Sequence, residues 1–174
     1  MKYLVKFFVV TLLLLICTHT LSEHKLAYLD MKFVLNKSNA GKGSQDFLQK
    51  SFKENQKIFL EEENALKEEE SGLLAQKTIL TKEEYQQKSD NLRKKVVDYQ
   101  SQRRTSLDKI TTQRAEARQK LLEKLDPILK TYVKENDISL IIDKKNVLMG
   151  NTNLDITNVI VEKLNKVLPS LSIK

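Results

Sequence analysis

Residues 43–85 read GSQDFLQKSFKENQKIFLEEENALKEEESGLLAQKTILTKEEY. From Gly43 to Pro127 only Gly72 interrupts a stretch dense in Lys, Glu, Gln, Leu and Arg. A compact globular domain needs turns, so this segment reads as a long helical arm. Phe52, Phe59, Leu66, Leu73 and Leu80 fall seven apart, and Ile58, Ala65 and Ile79 flank them in the same register. The intervening Asn55, Glu62, Glu69 and Gln76 are polar. That is a coiled-coil seam, but a narrow one, with apolar residues bunched rather than divided evenly between the two seam positions. Such a seam leaves little reserve of buried area, so the arm is expected to bend and splay.

The arm folds back on itself. Thr81-Lys82-Glu83-Glu84 fits a capping box, in which the Thr81 hydroxyl serves one free backbone N–H and Glu84 reaches back to another. The return point is placed just after Leu80. Gly72 is the competing turn, but no cap follows it and it sits within the heptad register, so it reads as a soft point near the tip. One helix then runs from about Ser44, its cap, to Thr78, roughly 50 Å at 1.5 Å per residue. The second starts near Lys82 and returns with Tyr85, Leu92, Val96, Tyr99, Leu107 and Ile110 on its seam. This fold-back sets Leu73 near Gln87, Leu66 near Lys94, Phe59 near Ser101 and Phe52 near Asp108.

The flanks read differently. Lys25-Leu26-Ala27-Tyr28-Leu29-Asp30 is strand-like, Met31–Leu35 suits a helical turn, and Asn36–Gly43 reads as a loop. Beyond the arm, Leu121, Leu122, Leu125, Ile128, Leu129, Tyr132 and Val133 lead into a core. Pro127 should kink or restart the helix, because it lacks an N–H and crowds the preceding turn. Asn136-Asp137 ends it. Ile138–Asp143 reads as a buried strand, Lys144-Lys145-Asn146 as a turn, and Val147-Leu148-Met149 as a second strand. Asp155-Ile156-Thr157 opens a final amphipathic helix through Val159, Ile160, Leu164, Val167 and Leu168, stopped by Pro169.

The expected fold is therefore α+β and mostly α: a long antiparallel helical-hairpin arm projecting from a small β-containing oligomerisation head built from both chain ends. Its division is 1–22 as signal peptide, 23–43 and 126–174 as head, and 44–125 as arm with its tip near 79–82. A head that small is marginal alone and would leave open strand edges, so association of subunits is expected.

Composition limits the function. Lys2 and Lys6 precede an apolar run from Phe7 to Cys17, too short to span a bilayer as a helix, and Thr20 and Ser22 set up a cut before Glu23. That is a secretory signal. Acylation at Cys17 is disfavoured by Ile16 before it, and an uncleaved anchor is the other alternative. Cleavage removes the only cysteine and leaves His24 as the single histidine. A zinc site or a Ser/His or Cys/His nucleophile pair then has almost no raw material, and Gly41 and Gly43 are not followed by a phosphate-loop pattern. No enzyme, cofactor or metal centre is read. Without Lys2 and Lys6 the net charge of +7 becomes +5, and Lys77–Lys120 holds twelve basic and six acidic residues. No aromatic or glycine-rich RNA-binding pattern accompanies that charge, so nucleic acid is not expected as a partner.

The chain resembles the Skp/OmpH family of periplasmic chaperones. The matching residues are Lys25–Met31 with Val34-Leu35, the tip Leu80-Thr81-Lys82-Glu83-Glu84-Tyr85, Pro127-Ile128, Ile138–Asp143 and Leu154-Asp155-Ile156-Thr157. The resemblance implies a homotrimer with a β-barrel-like head and three helical-hairpin tentacles. It also implies a cavity that holds unfolded outer-membrane proteins in the periplasm without nucleotide. For some members it implies an anionic lipid, lipopolysaccharide, bound through basic residues of the arm. Arg103-Arg104 does not fall at the equivalent position when aligned back from the last strand, so that site is not carried over.

An arm of this kind can make many weak contacts with exposed apolar strands that would otherwise aggregate, and its cationic surface speeds capture of acidic clients. The expected client-binding residues are Leu73, Leu74, Ile79 and Leu80 near the tip, with Lys77, Lys82, Lys88, Arg93, Lys94, Lys95, Arg103 and Arg104. A structural coiled-coil scaffold of the cell envelope is the alternative, since it would share the same signal, arm and head.

Overall fold

The computed structural model describes residues 25–173; the expected signal peptide, Cys17 and His24 lie outside them. The elements are β1 (Lys25–Leu29), α1 (Met31–Lys37), α2 (Asn39–Ala75), α3 (Lys82–Glu135), β2 (Ile138–Asp143) and α4 (Thr157–Val167). Short 3-10 turns cover Lys144–Asn146 and Thr152–Leu154. The fold is mostly helical, with two long antiparallel helices and a two-stranded parallel sheet.

β1 pairs with β2 in parallel, Leu26 opposite Leu140, Tyr28 opposite Ile142 and Leu29 opposite Asp143. Parallel strands need a crossover connection, and here the whole hairpin is that crossover. On the other side of β1, Ile156 N–H donates to Tyr28 C=O at 3.0 Å. Asp155 accepts from Thr157 N–H at 3.0 Å and from Lys144 Nζ at 2.7 Å, which steadies the entry to α4. The core gathers Leu29, Val34, Leu35 and Ala40 from the first end of the chain. Leu121, Leu125 and Ile128 join from the base of α3, and Ile156, Ile160 and Leu164 from the last helix.

The hairpin turn occupies residues 76–81, and α3 opens on a complete capping box. Glu84 N–H donates to the Thr81 hydroxyl at 3.2 Å, and Thr81 N–H donates to the Glu84 carboxylate at 3.0 Å. The pairs that meet across the hairpin are Gln76 with Lys88, Glu69 with Lys95, Glu63 with Tyr99 and Asn55 with Ser106. They lie within about one helical turn of the expected pairings. α2 stops at Ala75 rather than Thr78, the turn taking the last residues.

Four expectations fail, each for a local reason. Asn36–Gly43 is not a loop: α1 runs to Lys37, and α2 starts at Asn39 after the single extended residue Ser38. Ser38, not Ser44, caps α2, its hydroxyl accepting from Gly41 N–H at 3.2 Å, while the Ser44 hydroxyl is buried and donates to Ala40 C=O at 2.7 Å. The glycine that suggested a loop instead permits close packing, since a Cβ on Gly41 would lie 1.8 Å from Leu35 O. The helix does not restart at Pro127, which lies inside α3 with Leu125 and Ile128 buried on either side of it. Val147–Met149 forms no strand. Asp143 accepts from Lys145 N–H at 3.2 Å and Val147 N–H donates to Lys144 C=O at 3.0 Å, so local turn bonds claim that backbone. Leu148 and Met149 are left fully in solvent. The heptad seam, expected to be narrow, is only partly closed. Leu73, Leu92, Tyr99 and Ile110 are buried, Phe59, Leu66 and Val96 half-buried, and Phe52 and Leu107 exposed.

The glycines give a matched test. Gly41→Ala should destabilise the fold by about 2–3 kcal/mol through overpacking against Leu35. Gly43→Ala, which meets nothing within 4 Å, should stabilise by about 0.5–1 kcal/mol through helix propensity. Thermal unfolding followed by far-UV circular dichroism reads both, and a wild-type melting point for Gly41→Ala would refute the close α1–α2 junction.

Candidate functional site

The expected client-binding residues all lie on the arm, and they divide sharply by environment. At the tip, Ile79 is 81% exposed and Leu74 57%, Leu80 is half-buried, and Lys77 and Lys82 stand in solvent on either side of the turn. Leu73 is different: it is buried between the helices, so it holds the hairpin together rather than facing outward. Among the expected cations, Lys88 donates to Gln76 Oε1 at 3.0 Å, Arg93 pairs with Asp90 at 3.2 Å and Lys95 pairs with Glu69 at 2.7 Å. Lys94 lines a groove with Leu73, Gln76 and Asp98 on the distal arm. Arg103 and Arg104 lie at mid-arm and line an open groove of about 890 Å³ along the hairpin, together with Leu66, Leu92, Val96 and Tyr99. The twelve residues therefore form a tip group and a mid-arm group, not one patch.

At mid-arm, Tyr99 is the cross-link. Its ring meets Phe59 edge-on at 6.0 Å between centroids and 70° between planes. Its hydroxyl donates to Glu63 at 3.2 Å. Lys67 donates to the other Glu63 oxygen at 2.7 Å. The Lys67 hydrogen bond, then the Tyr99 hydroxyl, hold the Glu63 carboxyl below the usual carboxylate range, and Glu63 in turn raises Lys67. Next to this group a second cavity of about 500 Å³ is lined by Phe52, Phe59, Leu60 and Leu107.

Apolar residues at mid-arm, outside the expected client-binding set, are exposed as well. Phe52, Ile58, Leu60, Val97 and Leu107 are all more than 40% exposed. Phe52 and Leu107 were assigned to the seam and so set aside. The signal for them was present in the sequence: apolar residues outnumber the positions a narrow seam can cover. Among the described residues no cluster of His, Cys, Asp and Glu could hold a metal ion, and no helix is long and apolar enough to cross a membrane.

The comparisons agree with this geometry. The model of the family "Outer membrane protein (OmpH-like)" matches residues 25–164, from β1 into α4. The chain belongs to the OmpH-like family. A crystal structure from Caulobacter crescentus CB15, of a protein assigned as an OmpH-like outer membrane chaperone, superposes with a TM-score of 0.79. It is 19% identical and covers 89% of this chain and 92% of its own, which shows a shared fold. No curated protein sequence matches the chain significantly. OmpH-like membership supports a chaperone role in general.

The Glu63 cluster predicts acid sensitivity at mid-arm. Because the folded carboxyl titrates below its ordinary value of 4.5, its stabilising effect is present above that value and is lost as pH falls through the lowered one. Amide exchange at residues 59–63 and 96–103, corrected for intrinsic rate, should therefore lose protection as pH falls below about 4.5. Glu63→Gln should show weaker protection already at neutral pH and no such acid step. An identical acid profile in both proteins would remove Glu63 from this role.

Proposed function

We propose that this protein is an ATP-independent periplasmic holdase that binds unfolded outer-membrane proteins along its arms and keeps them from aggregating in transit. The observation that carries this reading is a protruding hairpin with large apolar side chains left in solvent among cations. Phe52, Ile58, Leu60, Leu74, Ile79 and Val97 stand on a helical pair rich in Lys and Arg. Exposed apolar surface of this extent fits binding to non-native polypeptide. Each contact is shallow, so a client is held by number rather than by depth and can leave without an energy source.

The head supports association. Leu26, Leu140, Val167, Leu148 and Met149 are exposed, the last two almost completely, and β2 belongs to a sheet of only two strands. A homotrimer, in line with the family resemblance, would cover these side chains and set three arms around one cavity. Location in the periplasm fits both the family and the charged-then-apolar start of the sequence.

Purified protein lacking residues 1–22 should suppress aggregation of a urea-diluted β-barrel porin at near-stoichiometric ratio without ATP. If the porin scatters light as fast with it as without it, an envelope scaffold is the better reading. Sedimentation should give an oligomer; a monomer would contradict the shared head.

A further inference from the structure

The middle of the arm is built unlike its ends. α2 buries Leu48 near the base and Leu73 near the tip, and no residue between them. That gap is about 37 Å of helix. Over the same length the two cavities meet, since Glu63, Tyr99, Arg103 and Leu107 line both. Both are open grooves along the hairpin, and although the facing helix buries Leu92, Tyr99 and Ile110 here, the two helices cover each other only in part. The bonds that bridge them are polar: Asn55 Nδ2 donates to Ser106 Oγ at 2.8 Å, Tyr99 to Glu63 at 3.2 Å and Lys95 to Glu69 at 2.7 Å. The first two are part-buried and the Lys95–Glu69 pair is exposed; each contributes only a modest net stability, the exposed ion pair least.

The charges at this place are unequal. The two cavities are lined by Lys53, Lys57, Lys67, Arg93, Arg103 and Arg104 against Glu63, Glu70 and Asp108. Lys57, Lys67 and Arg93 have carboxylate partners at 3.8, 2.7 and 3.2 Å. Arg103 and Arg104 have no ion pair within 4 Å among the described residues, although both line the larger cavity. A guanidinium beside an apolar floor is a ready partner for a carboxylate, which it can hold with two parallel bonds.

We infer that the hairpin opens at mid-arm and seats an extended segment of non-native polypeptide in which apolar side chains alternate with carboxylates. The apolar side chains meet Phe52, Phe59, Leu66 and Tyr99 between the helices, and the carboxylates meet Arg103 and Arg104. This rests on the holdase reading and gives it a location: client is gripped within each arm as well as between arms. The period-two alternation of a strand places every second side chain on one face, so one segment can present both chemistries at once. Leu48 and Leu73 act as the closed ends of the opening, which keeps the hairpin from unzipping.

The test joins the helices where they face each other. Asn55→Cys with Ser106→Cys, in a chain carrying Cys17→Ser, leaves two thiols in contact range, and a short bifunctional thiol reagent bridges them. The probe is a urea-unfolded porin with acidic segments, followed by light scattering. Before bridging, the variant, which lacks the Asn55–Ser106 bond across the hairpin, should protect at least as well as wild type. After bridging, the concentration needed for half-protection should rise about tenfold or more, the loss expected when a central binding surface is withdrawn. Arg103→Glu with Arg104→Glu should raise it about fivefold and flatten its salt dependence. Undiminished protection by the bridged protein would overturn the opening while the holdase reading stands. Undiminished protection by the charge-reversed protein would overturn the carboxylate contact. Failure of the wild type to protect would end both.

Discussion

The parallel pairing of β1 with β2 is the constraint on which the rest depends. It brings residues 25–29 against residues 138–143 and sets both strands running the same way. The chain leaving Leu29 must therefore return the length of the sheet before Ile138 can pair. α1 makes the first part of that detour, and the two arm helices differ in length to complete it: α2 has 37 residues and α3 has 54. The excess of α3, about 25 Å at 1.5 Å per residue, carries the chain past the start of α2. It runs across the core at Leu121, Leu125 and Ile128 to the beginning of β2. The arm protrudes because a hairpin is the only way such long helices can close a crossover this short.

Stability is graded along the molecule as a consequence. At the base, residues from both chain ends bury one another; Leu29, Val34, Leu125, Ile160 and Leu164 are almost wholly out of solvent. Along the arm each helix has only one neighbour, so at best one face is covered. A two-helix rod cannot surround a side chain as a core does, and burial of one face contributes about 25 cal/mol per Å² only over the area actually removed from water. The arm is therefore the low-stability end of the protein, the part from which local opening is drawn. Its length comes from the topology and its softness from its geometry.

Much of this was legible in the sequence, and the failures are as informative. The hairpin was readable because absence of Pro and Gly, heptad spacing and the Thr81–Glu84 capping box all point the same way; agreement between levels is what makes a local pattern reliable. The stretch Asn36–Gly43 misled because its composition is that of a loop. The need for a small residue beneath the end of α1, at Gly41, is a tertiary fact that no window of sequence contains. Pro127 misled in the opposite sense: a helix breaker survives where packing on both sides outweighs one lost bond. The seam residues Phe52 and Leu107 misled because periodicity predicts which face they share but not whether the facing helix fills it. In the Glu63–Lys67–Tyr99 cluster only the i,i+4 pair Glu63–Lys67 has a sequence signature; Tyr99 joins it from 36 residues away through a register known only within a turn.

Val147–Met149 is the remaining failure, and its cause bears on assembly. The segment has a strand composition, yet Leu148 and Met149 project into water, although the outer edge of β2 carries no partner strand among the described residues. β1 is flanked by β2 on one side and by the Asp155 bridge on the other, so its hydrogen-bonding capacity is spoken for within the subunit. A pattern that favours a strand but finds no partner in its own chain is stable only beside another backbone or as a turn. In the single subunit the turn at Lys144–Asn146 prevails, held by Asp143 and by the Lys144–Asp155 contact at 2.7 Å. Under the proposed trimer, the same apolar pair would be covered by a neighbouring head. The sequence pattern and the subunit structure then describe two states of one segment, the second requiring a partner.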